Sequence, residues 1–121
     1  MTWLEIAEDN WRAANQLRSG GRYRSCVSRA YYSAYAHATA ALEMRGLRFK
    51  QEREGPTHAS LPDLIFSNLD LDRKQRHQVR RAILSLYKAR VQADYFKLDI
   101  DENFARIALR DASIIRRTFG E

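Results

Sequence analysis

The chain has 121 residues, with 21 Lys and Arg against 15 Asp and Glu, for a net charge of +6. That length suits a single domain over residues 1–121 with one core, and a hydrophobic fraction of 45% with 11% aromatics excludes a disordered chain. The single cysteine, Cys26, excludes an internal disulfide and a multi-cysteine zinc site; the excess of base favours an acidic partner such as nucleic acid or a nucleotide.

The opening "MTWLEIAEDNWRAA" carries acids early and has no apolar run, so it does not read as a signal peptide. No stretch reaches the ~18 apolar residues of a membrane span. A cytoplasmic protein without a membrane partner is expected. The first helix is predicted from Thr2 to Arg18: Trp3, Ile6, Ala7, Ala14 and Leu17 fall on one stripe, with Trp11 near it. Thr2 with Glu5 reads as a capping box. "SGG" at Ser19–Gly21 breaks the chain.

A second helix is predicted from Arg22 to Arg45, with Gly46 as its C′ residue. Its segment "SRAYYSAYAHATAAL" has no charged residue from Ala30 to Leu42. A helix apolar or small nearly all round is covered on most sides. Tyr31 centres one face with Val27, Ala34, Ala38 and Leu42; Arg29, Ser33, Ala36 and Ala40 lie opposite. A small bundle does not easily enclose one of its own helices. The expectation is therefore a homodimer with Ser33, Ala36, His37 and Ala40 at its interface. Arg29 is expected to pair with Asp94 of "ARVQADYFK" and fix two helices in register, with an edge position reaching water as the alternative. Tyr31, Tyr32 and Tyr35 read as packing residues with satisfied hydroxyls, and His37 as a hydrogen-bonded core or interface residue.

"LRFKQEREGPT" reads as an exposed loop and "LPDLIFSNL" as a short helix from Leu61, with Pro62 in its first turn. Asp72 caps a fourth helix to Asp94, with Val79, Ile83, Leu86, Tyr87 and Val91 inward. Its sequence "DRKQRHQVRRA" sets Arg73, Arg76 and Arg80 at i, i+3 and i+7, with Lys74 and Arg81 adjoining. This basic face is a candidate polyanion site, and binding there would be steeply salt-dependent. No aromatic is interleaved with it in the sequence, so a stacking platform is not expected. Asp101 caps the last helix, to Thr118, with Phe104, Ile107, Ala108, Ile114 and Ile115 inward. The fold class is all-α, an antiparallel up-and-down bundle of four long helices and one short one. No Glu-x-x-His or His-x3-His occurs and no Gly-rich phosphate loop follows a strand, so neither metal nor cofactor is expected.

Two motifs, Ser28-Arg29-x-Tyr31-Tyr32 and, later, Arg90-x-x-Ala93-Asp94-Tyr95, on this five-helix pattern resemble the HEPN domain family from about Leu4 to Thr118. The resemblance implies an all-α bundle that usually dimerises and works with nucleotides or RNA. It groups Arg29, Tyr32, Arg90, Asp94 and Tyr95 as a structural pair or cleft. It also implies a partner: many relatives are encoded beside a minimal nucleotidyltransferase, as toxin–antitoxin-like pairs. Some are metal-independent ribonucleases with an R-x4–6-H motif, often followed by x-Tyr. Here "REGPTH", Arg53 to His58, has that spacing, but it crosses Gly55 and Pro56 and is followed by Ala59-Ser60. It reads as a chance match. The leading expectation is a non-catalytic nucleotide- or RNA-binding or partner module. The alternatives are a ribonuclease using Arg53 and His58, and a purely structural dimeric adaptor.

Overall fold

The computed structural model describes residues 1–49 and 55–120, and these form five helices: α1 Trp3–Ser19, α2 Tyr23–Met44, α3 Leu61–Asn68, α4 Arg73–Tyr95 and α5 Glu102–Phe119. Local chemistry sets their ends. The Thr2 hydroxyl accepts the Glu5 N–H at 3.1 Å while the Glu5 carboxylate accepts the Thr2 N–H at 3.2 Å, the expected capping box. Asp72 and Gln75 repeat the device at α4, and Asp101 accepts the Phe104 N–H at 2.9 Å at α5. α1 and α2 both end in Schellman turns. At α2 the Leu47 N–H reaches Leu42 O and the Gly46 N–H reaches Glu43 O, with Gly46 at φ 92°. Only glycine takes that left-handed conformation without strain.

Long-range contacts fix the directions. The three-residue turn after α1 returns α2 antiparallel to it. Arg18 pairs with Glu102 and Glu8 with Arg116, so α5 also runs against α1. Arg24, at the start of α2, donates to the carbonyl of Ala93 in the last turn of α4 and to those of Phe96 and Leu98 just beyond it. α2 and α5 therefore point one way and α1 and α4 the other, the expected antiparallel bundle, with α3 as a short cross-piece.

α2 is the axis of the bundle and touches α1, α3, α4 and α5. The Tyr31 face is buried as predicted: Val27, Ala34, Ala38 and Leu42 are inaccessible to water, packed with Ile83, Leu86 and Ile115. The opposite face differs from expectation. Ser33, Ala36, His37 and Ala40 are 0, 0, 1 and 7% exposed within one chain. Ser33 Oγ donates to Ala7 O of α1 at 2.9 Å. Small side chains let the α1 backbone approach closely, so the bundle does enclose this helix and these four residues offer no surface to a second copy. Among the described residues no helix is long and apolar enough to cross a membrane.

Candidate functional site

Tyr31 and Tyr32, with Tyr35 on the next turn of α2, build one end of the site. The segment before α3 is drawn against them. Tyr35 Oη donates to Pro56 O at 2.6 Å, and Gly55 packs so tightly on the Tyr35 hydroxyl and the Trp3 ring that it has no room for a Cβ. His58 follows: its Nδ1 lies 2.6 Å from Tyr31 Oη. Its ring stacks on Tyr87 of α4, with centroids 5.7 Å apart and planes at 24°. Burial and then the nearby Arg90 charge hold the His58 pKa below its ordinary value, so the ring is neutral at pH 7. Burial pushes the Tyr31 hydroxyl strongly upward, which makes it a hydrogen-bonding group and not an acid.

Arg90 closes the cluster from α4. Its Nη2 donates to Tyr32 Oη at 3.0 Å, its Nε lies 3.1 Å from Asp94 Oδ2, and its guanidinium faces the rings of Tyr31, Tyr32 and Tyr95. Burial opposes its charge, but Tyr32 and Asp94 outweigh that and raise its pKa. The expected Arg29–Asp94 pair does not form. Asp94 is taken by an arginine one turn earlier on its own helix. Arg29 instead lies at the exposed edge, donating to Asn10 Oδ1 at 3.1 Å with its guanidinium 5.5 Å from the centre of the Tyr32 ring. Of the residues that the two motifs together grouped, Tyr32, Arg90, Asp94 and Tyr95 do meet, and Arg29 joins through Tyr32.

Beside Arg29 the surface opens. Trp3, Ile6, Asn10, Arg29, Tyr32 and Tyr35 line a groove of about 350 Å³ between α1 and α2. Trp3 and Tyr35 meet edge to face at 5.8 Å. Aromatic faces, one amide and one solvent-facing guanidinium suit a flat, electron-rich ring carrying negative charge. Asn10 and Trp3 were not singled out as site residues from the sequence, because both read as ordinary positions of an amphipathic helix.

The other predicted features are placed as follows. Arg53 lies outside the described residues. Arg73, Lys74, Arg80 and Arg81 are exposed along α4 and Arg76 is half-buried, as a basic face requires. The structure adds an aromatic that the sequence pattern separated from them: Arg76 and Arg80 face the ring of Phe66 of α3, at 5.0 and 5.8 Å. His37 is buried with its Nε2 3.2 Å from Glu8 Oε2, close but not aligned for a hydrogen bond. Glu8 also takes a two-pronged bond from Arg116 at 2.8 and 2.9 Å. That bond, and then the nearby His37, keep the Glu8 carboxyl below its usual range even against its partial burial. Burial lowers the pKa of His37, only partly opposed by Glu8. Asp111, unmentioned by any motif, is 2% exposed on α5. It sits at the i+3 and i+7 positions from Ala108 and Phe104 on an apolar stripe, a signal that periodicity alone could have raised. Among the described residues no three His, Cys, Asp or Glu side chains cluster as metal ligands.

Against known proteins, the sequence model of the HEPN domain matches residues 1–121. The comparison with curated proteins found no match.

Proposed function

The chain belongs to the HEPN domain family, and on that premise we propose that it is a non-catalytic module that binds a nucleotide or single-stranded RNA in the groove between α1 and α2. The observation that carries this reading is the position of the Arg29 guanidinium over Tyr32 at the mouth of that groove, with Trp3 and Tyr35 forming the wall. An unstacked base lies on the aromatic faces, Asn10 reads a polar edge, and Arg29 meets a phosphate. The α4 face of Arg73, Lys74, Arg76, Arg80 and Arg81 supplies further phosphate contacts to a longer strand. Anisotropy titration of a labelled ten-nucleotide RNA tests it. Arg29→Ala should weaken binding about tenfold and flatten the salt dependence by about 0.7 in slope, the share of one phosphate on a single strand. Equal affinity and slope in wild type and variant would reject the groove as the site.

The module works in an assembly: a second copy of itself, and a minimal nucleotidyltransferase as the partner class the family implies. With the small-residue face of α2 covered, the surface that suits a second copy is the outer side of α4 and the turn after it. There Leu84, Tyr87, Tyr95 and Phe96 are 45, 37, 70 and 53% exposed. Leu84→Glu with Tyr95→Glu should convert a dimer to a monomer in light scattering at micromolar concentration. A monomeric wild type would remove this part of the proposal.

One observation favours a second reading, a ribonuclease. The fold brings His58, neutral and hydrogen-bonded to Tyr31, into the field of Arg90, so an arginine and a histidine share a site although Arg90 is remote from His58 in the chain. A neutral imidazole can take a proton from a 2′-hydroxyl. Cleavage of RNA under chelation that His58→Ala abolishes would establish this reading; intact RNA would dismiss it.

A further inference from the structure

The face of the bundle formed by α4 and α5 carries a second opening, distinct from the aromatic groove. It measures about 270 Å³, and Ser85, Lys88, Phe104, Ile107 and Asp111 are among the residues that line it. Its walls are largely apolar, yet a carboxylate forms part of its floor. Asp111 is 2% exposed, and Ser85 lines the opening with it. Among the described residues no Lys, Arg or His nitrogen lies within 4.0 Å of that carboxylate. Arg110 and Arg81 act on it only from longer range, and burial raises its pKa over their opposition. A charge taken out of water without a counter-ion costs several kcal/mol. A carboxylate in that position, open on one side to a cavity, is short of one cation.

We propose that the α4–α5 groove is a binding site for a small organic cation, a primary ammonium or guanidinium/amidinium head on a short apolar or aromatic body. The head enters to Asp111 beside Ser85. The body lies between Phe104 and Ile107. The volume falls below that of drug-sized pockets, which limits the ligand to a single small ring or a short alkyl chain. Lys88 lines the same groove, and its ammonium repels an entering cation. The site is selective for cations in a protein whose surface is basic overall, so non-specific attraction does not account for such binding.

The test uses the intact chain and three probes: benzamidinium, butylammonium and neutral benzamide, each titrated by two-dimensional amide NMR. Both cations should shift the amides of Ser85, Lys88, Ile107 and Asp111, and benzamide should bind at least tenfold more weakly than benzamidinium. Asp111→Asn should weaken both cations at least tenfold and leave benzamide unchanged. Ile107→Trp, which fills the groove and leaves the carboxylate in place, should abolish the shifts and decides the matter if the Asp111 variant does not fold. Lys88→Ala should tighten cation binding several-fold. Benzamide binding as well as benzamidinium, cation binding that survives either blocking substitution, or no shift at these amides in tens of millimolar cation would each overturn the proposal.

Discussion

The Tyr31 hydroxyl and His58 Nδ1 lie 2.6 Å apart and tie the segment before α3 to the central helix of the bundle. The bond joins a side chain that is 1% exposed to one on a connecting segment. It explains how a segment with a glycine and a proline is held against α2 and α4.

Tyr31→Phe keeps the ring and removes the bond. The imidazole nitrogen is then left without its partner in a half-buried site, at a cost of about 1–2 kcal/mol. Urea unfolding should show that loss. His58→Ala in the same background should add less than it does in wild type, because the two residues act as a unit.

Acid should weaken the fold through His37, which is buried, and His58, which is half-buried. His37 and His58 are held below the ordinary imidazole value, first by burial. Unfolding restores that value, so below about pH 6.5 the unfolded chain binds more protons than the folded one. Their contribution is complete above that pH and is lost as the pH falls towards the depressed folded values. Asp111, whose pKa is raised, runs the opposite way at lower pH, near the carboxylate range. Between pH 7 and 5 the two histidines dominate and the net change should be a loss of stability. Urea midpoints across that range should fall, and His37→Gln or His58→Gln should flatten the decline.

Arg90 and Asp94 should prove coupled. The arginine is 12% exposed and the carboxylate 27%, so the pair is shielded but not sealed. Arg90→Met should cost about 2–3 kcal/mol, because it loses the Tyr32 hydrogen bond and leaves Asp94 uncompensated. Asp94→Asn should cost about 1 kcal/mol. A double-mutant cycle should give a coupling above about 0.5 kcal/mol. The corresponding cycle between Arg29 and Asp94 should give none.

Ala36→Leu tests the enclosure of α2 by its own chain. Ala36 is inaccessible to water, on the side where Ser33 bonds α1. A leucine there must push α1 outward, at about 1–3 kcal/mol. Thermal melts should show the same drop in midpoint relative to wild type at every protein concentration. A drop that widens with concentration would place a second copy on that face.

Much of the architecture is written locally. Thr2 with Glu5, Asp72, Gly46 and Asp101 mark ends that the structure reproduces to within a residue or two, because caps are contacts over three or four positions. The dryness of α2 was equally legible in its uncharged run. What the run does not encode is which neighbour covers it. Periodicity reports how much of a helix avoids water, and α1 and α5 do here what a second copy was expected to do. Asp94 was misassigned for a related reason. Its partner is the i−4 residue Arg90, a local pairing rule that a search for a long-range register lock passed over. The His58 contacts, the Arg29–Asn10 bond and the Glu8–Arg116 pair, 108 positions apart, depend on loop path and helix order. No spacing in the sequence carries those.

The most direct test of the central claim, a nucleotide or RNA strand in the α1–α2 groove, is the fluorescence of Trp3. The chain has two tryptophans, and the other, Trp11, sits under Arg116 with the guanidinium 5.0 Å from its ring centre. In a Trp11→Phe background Trp3 reports alone. Saturating a ten-nucleotide RNA should quench it, and Arg29→Ala should shift the titration about tenfold to weaker binding. Emission unchanged by RNA that binds elsewhere, or a quench indifferent to Arg29, would contradict the account.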